Sequence, residues 1–171
     1  STLFPYTPLF RSEMAADPGL SNRLARLIED ERAGMRTFLE LLKREESLLI
    51  AGQIDALSNI AEEKTQLYRS LQRLSDERTM MFARVGAKVS NENIRIVLAQ
   101  APDALAAWEE VVALAEEAKE RNRVNGQLIV ERLQNNQQAL TTLLSAAEHP
   151  QIYGPDGQSR PTASSRHLGS V

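Results

Sequence analysis

Through the middle of the chain, apolar residues recur every three or four positions. Between residues 20 and 50, Ile28, Met35, Leu42 and Leu49 lie seven apart, with Leu24 and Phe38 on the same face. From Leu57 the spacing is stricter: Leu57, Ile60, Lys64, Leu67, Leu71, Leu74, Arg78, Met81 and Val85 step by three and four without a fault. Such steps draw one stripe along an α-helix and make a heptad seam. Gly52 is the breaker between the two stretches and suits a left-handed cap. The connection is therefore short, and short connections make helices antiparallel neighbours.

Antiparallel neighbours pair residues whose numbers sum to a constant. One such constant sets Leu24 against Val85, Ile28 against Met81, Met35 against Leu74, Phe38 against Leu71, Leu42 against Leu67 and Leu49 against Ile60. The same constant sets the two charged breaks in each seam against each other: Glu31 against Arg78, and Glu45 against Lys64. The charges helped to choose the constant, so their agreement is a check on consistency.

A short helix is expected over residues 90–99, with Ser90 as its cap. Pro102 then suits the first turn of a long helix, and Glu109 and Glu110 follow near its positive end. The seam of this helix runs through Trp108, Val111, Ala115, Ala118, Asn122, Asn125, Ile129, Leu133, Leu140 and Leu143, and Pro150 stops it after about residue 147. The expected fold is all-α: an elongated antiparallel helical hairpin with a third long helix laid along it as a three-helix bundle or coiled coil.

The two ends read differently. Residues 1–13 carry two prolines and no helical period. Residues 2–12 resemble the conceptual translation of a sequencing adapter, departing from it at Pro8, which makes 1–13 a non-native leader before Met14; the alternative is a flexible arm. Residues 148–171 are rich in Pro, Gly and Ser, and cannot bury enough apolar surface to offset the entropy of ordering them. They are expected to form a disordered tail, with a turn signal at Gly154-Pro155-Asp156-Gly157. The helical domain is thus expected over 14–147. Ile152 and Tyr153 are apolar exceptions in the tail, either incidental or a docking motif.

Composition narrows the chemistry. The 171 residues include no cysteine, which removes disulfides, thiolate metal sites and cysteine nucleophiles. The net charge of -3 offers no basic footprint for nucleic acid, and no apolar run approaches the roughly 18 residues of a membrane span. Only His149 and His167 are histidines, both in the tail, and Glu pairs such as Glu116 and Glu120 lack the His of a carboxylate metal bundle. No nucleotide-binding glycine loop is present. No catalytic residue, metal ligand or cofactor is assigned, and the chain is read as a non-enzyme.

Two inner segments stand out. In Asn122-Arg123-Val124-Asn125-Gly126 two asparagines fall on the apolar seam and a glycine sits inside a helix, where it costs about 1 kcal/mol against Ala. They read as register-setting Asn with Gly for close helix approach, or as a place where the helix bends. Residues 127–147 are amphipathic, and the third helix outruns the hairpin arms. That face is ordinary core, or it is lent to a partner as a helix in a groove.

Asn122-Arg123-Val124-Asn125-Gly126, then Asn135-Asn136-Gln137-Gln138-Ala139-Leu140, then Ile152-Tyr153-Gly154-Pro155-Asp156-Gly157-Gln158, resembles the C-terminal half of the FlgN family of bacterial flagellar export chaperones. Glu62-Glu63-Lys64 and Trp108 fit more weakly, and the likeness covers residues 20–158. The resemblance implies a cytoplasmic chaperone for hook–filament junction proteins, holding their C-terminal helical regions before type III export. It implies that Leu128, Ile129, Leu133, Asn136, Leu140, Leu143 and Leu144 touch that substrate. It also implies that Tyr153, with Ile152 and Gly154, docks on the cytoplasmic domain of the export gate. The alternative is a self-associating coiled-coil scaffold or adaptor using the same seam; the oligomeric state is left open.

Overall fold

Asp17 starts the first helix. Its Oδ1 accepts from the backbone N–H groups of Gly19 at 2.9 Å and Leu20 at 3.1 Å, two donors that a helix start leaves without partners. The computed structural model describes residues 17–148, 152–153 and 159–160. Helix α1 (Pro18–Ala51) ends at Gly52, whose φ of 73° is the left-handed cap. A single 3-10 turn, Ile54–Ala56, leads into α2 (Leu57–Arg84). Gly86, also left-handed at φ 71°, turns the chain toward α3 (Asn91–Val97). Ser90 caps α3 by accepting from Asn93 N at 3.0 Å. Pro102 opens α4 (Pro102–Glu148), 47 residues long.

Two compact units divide the chain, with the boundary in sequence between Leu128 and Ile129. In the first, Arg78 bonds Glu31 and Lys64 bonds Glu45, so α1 and α2 run antiparallel. Glu110 bonds Arg32 and Arg36, while Arg121 bonds Glu46 farther along, so α4 runs parallel to α1. The larger core gathers Leu20, Leu24, Ile28, Phe82, Ile94 and Leu98 beneath the short α3. A smaller one gathers Leu39, Leu42 and Ala118. Phe82 is fully buried although it lies beside the heptad seam of α2, because α3 folds over that side of the helix and gives it a second wall.

In the second unit α4 continues to Glu148, and β1 (Ile152–Tyr153) pairs antiparallel with β2 (Ser159–Arg160). The sequence predicts a disordered tail with a turn at residues 154–157; that turn lies outside the described residues. Composition rules out a packed core there, but a two-residue ladder needs only backbone partners. The leader at 1–13 and the positions of His149, Pro150, Gly154 and His167 lie outside the described residues. The four helices hold nearly all described residues, and the fold is all-α.

Candidate functional site

Gly34 brings α1 and α2 close. A Cβ there would lie 2.8 Å from Leu71 Cδ2, so any side chain displaces the leucine. On their other side α2 and α4 stand apart. Between Val111 and Asn122 the α4 seam offers only Ala115 and Ala118, too small to reach across, and α2 meets α4 at the two ends of this stretch, through Arg78 over Trp108 and Lys64 on Asn122. The result is a groove of about 780 Å³, with apolar walls that include Met35, Phe38, Leu71, Trp108, Val111 and Ala115.

Two polar clusters line this groove. At one end Arg78 Nη1 donates to Glu31 Oε1, and the guanidinium lies 5.0 Å from the Trp108 ring centroid. Trp108 Nε1 donates in turn to Asn91 Oδ1 at 2.6 Å. Glu31 is 4% exposed, and burial pushes its carboxyl above the ordinary value of 4.5 against the pull of Arg78. Glu31 Oε2 and Arg78 Nε meet no hydrogen-bond partner.

At the other end Lys64 Nζ donates to Glu45 Oε2 at 3.1 Å and to Asn122 Oδ1 at 2.9 Å. Asn125 Nδ2 donates to Glu45 Oε2 at 2.7 Å and to the Leu42 carbonyl at 3.0 Å. Both seam asparagines and the Glu45–Lys64 pair therefore form one network, which ties α4 to the hairpin. Gly126 is a correction. A Cβ there would meet nothing within 4 Å, so this glycine serves no close helix approach.

The second unit carries a different surface. Ile129, Val130, Leu133, Leu140, Leu143 and Leu144 are between 46% and 67% exposed. Ile129, Leu133, Asn136, Leu140 and Leu143 step by four and three along α4, so the leucines share one face with an exposed amide at its centre. From residue 133 to 147 the helix holds no charge. A contiguous exposed apolar face of this kind is a candidate interaction site. Leu128, half-buried, belongs to the first unit. The backbone of Ile152 and Tyr153 lies in β1.

Sequence reading missed the groove and Gly34. The signal was present: a regular heptad of large residues on α2 faces a seam of alanines and asparagines on α4, and these cannot fill the same volume. Among the described residues no three His, Cys, Asp or Glu side chains gather where a metal ion could be held, and no helix is long and apolar enough to cross a membrane.

The family model described as FlgN protein matches residues 14–161. The chain is 28% identical over 142 residues to the flagella synthesis protein FlgN of Escherichia coli strain K12, covering 82% of this chain and 92% of that protein. It is 27% identical over 143 residues to the flagella synthesis protein FlgN of Proteus mirabilis, with the same coverage of 82% and 92%. For the flagella synthesis protein FlgN of Yersinia enterocolitica the identity is 29% over 128 residues, covering 71% and 82%. No solved structure matches.

Proposed function

The chain belongs to the FlgN family, and on that premise we propose that it serves flagellar assembly as a cytoplasmic export chaperone for hook–filament junction proteins. The observation that carries this reading is the exposed apolar face of α4. An exported protein with an apolar C-terminal helix needs that helix covered until release. A helix face of about 23 Å, with no charge beyond Arg132, covers it by knobs-into-holes packing. Ile129, Leu133, Leu140, Leu143 and Leu144 supply the knobs, Asn136 sets the register, and Leu128 closes the N-terminal end. The activity needs no catalytic step, metal or cofactor.

Delivery falls to the segment after α4. Tyr153 offers a rigid ring with a hydroxyl at its tip, which binds at low entropic cost, and Ile152 and Gly154 flank it. Its site is the cytoplasmic domain of the flagellar export gate.

The direct test is binding of a junction-protein C-terminal peptide to Leu133→Asp and Leu140→Asp. Both positions are more than half exposed, so the helical signal and melting temperature stay unchanged while affinity falls at least tenfold. A variant that unfolds, or that binds normally, puts the site elsewhere. Tyr153→Ala tests the second half: peptide binding and melting temperature hold, while gate binding and motility fall. A melting temperature several degrees lower with gate binding intact would make the tyrosine a structural clasp.

A further inference from the structure

From residue 133 to residue 147 helix α4 carries no charge, although all of these residues are exposed. The preceding part of the same helix, 102–132, holds 11 Asp, Glu, Lys and Arg in 31 residues. A water-facing protein surface carries about 25–35% charged residues. Cargo on the leucine face explains why that side lacks charge. It leaves the opposite side unexplained.

That opposite side holds Gln134, Gln138, Thr141 and Ser145, turned away from Leu133, Leu140 and Leu144. Its polar groups are of a kind that tolerates burial. Thr141 Oγ1 donates to the Gln137 carbonyl at 3.0 Å and Thr142 Oγ1 to the Gln138 carbonyl at 2.9 Å, so both hydroxyls find acceptors within the helix. Gln134 and Gln138 bring neutral amides, which both donate and accept and cost little to bury once bonded. A Lys or Glu in their place would need an opposite charge in the partner, or water. Depletion of charge is the compositional mark of an interface core, and here it runs right round the helix.

Area adds a second reason. Ile129, Val130, Leu133, Leu140, Leu143 and Leu144 each expose on the order of 100 Å², or about 600 Å² together. A stable specific contact buries about 800 Å² on each partner. The leucine face alone falls short, and the amide side is adjoining surface on the same helix.

We infer that cargo grips α4 from two sides. One cargo helix packs on the leucine face, and a second segment of the same cargo lies along Gln134, Gln138, Thr141 and Ser145. That segment is uncharged and bears amide or hydroxyl side chains, because a charge there would be buried without a counter-charge. The inference rests on the leucine face being the cargo site.

Binding of a whole junction protein to the full chain tests it. Gln138→Glu and Gln138→Lys put either sign of charge on the amide side at an exposed position. Both are expected to keep the wild-type melting temperature and helical signal, and to lose at least tenfold in affinity. Should either lower the melting temperature, Ser145→Lys repeats the test two turns on. If the Gln138 variants bind as wild type while Leu140→Asp does not, the amide side faces water: the inference falls and the leucine site stands. If one sign weakens binding and the other strengthens it, the second segment is charged and the inference falls. A Leu140→Asp that binds as wild type removes the leucine site, and the two-sided grip with it. A wild type that sediments as a dimer without cargo, and that Gln138→Glu makes monomeric, overturns the inference by giving the amide side to a second copy.

Discussion

At the scale of single residues the molecule's unusual feature is Glu31, a carboxylate held out of water beside one guanidinium. Burial outweighs the attraction of Arg78, so the folded protein binds the Glu31 proton at higher pH than the unfolded chain does. The stability this group contributes is therefore complete below the ordinary value of 4.5, and is lost as the pH rises through the raised folded value. Glu31→Gln removes the dependence. In urea unfolding at pH 7 and pH 5, the stability of wild type relative to Glu31→Gln is expected to be higher at pH 5. A difference that is flat or runs the other way would mean that the Arg78 bond outweighs burial. This pair and Glu45–Lys64 were legible in the sequence because each interrupts an apolar stripe, where an unpaired charge is costly. The bond from Asn125 to the Leu42 carbonyl was not, since a side-chain contact to the backbone leaves no mark on the partner's identity.

At the scale of helices the sequence was most informative about starts, stops and faces. Ser90, Pro102 and Gly52 act locally, through caps and fixed φ, so their effect reads directly. The face of α4 was legible too, but its burial was not. The same three-and-four spacing runs through Trp108 and Val111, which are buried, and through Leu133 and Leu140, which are exposed. Periodicity records which residues share a side, not whether anything covers it. The two helix-interior glycines make the same point by contrast. At Gly126 a methyl group meets open space, so Gly126→Ala should stabilise the protein by about 0.5–1 kcal/mol through helix propensity alone. At Gly34 a side chain meets Leu71, so Gly34→Val should cost about 1–3 kcal/mol by overpacking. Chemical denaturation of both variants checks the pair, and a Gly126→Ala that destabilises would show that the helix has to bend there.

At the scale of the whole molecule, stability and binding fall to different stretches of the chain. Among the described residues every buried one lies between Leu20 and Asn125, whereas Leu133, Leu140, Leu143 and Leu144 are more than half exposed. On the proposed reading, a charge on the α4 face should therefore remove cargo binding without touching either core, and a cavity in the core should do the reverse. Leu140→Asp should keep the wild-type melting temperature and lose at least tenfold in affinity for a junction-protein peptide. Leu42→Ala, at a position 0% exposed, should cost about 2–5 kcal/mol and leave the peptide affinity of the folded protein unchanged. Thermal melts beside a labelled-peptide titration read both variants, and a Leu140→Asp that melts several degrees lower would show that the face is core.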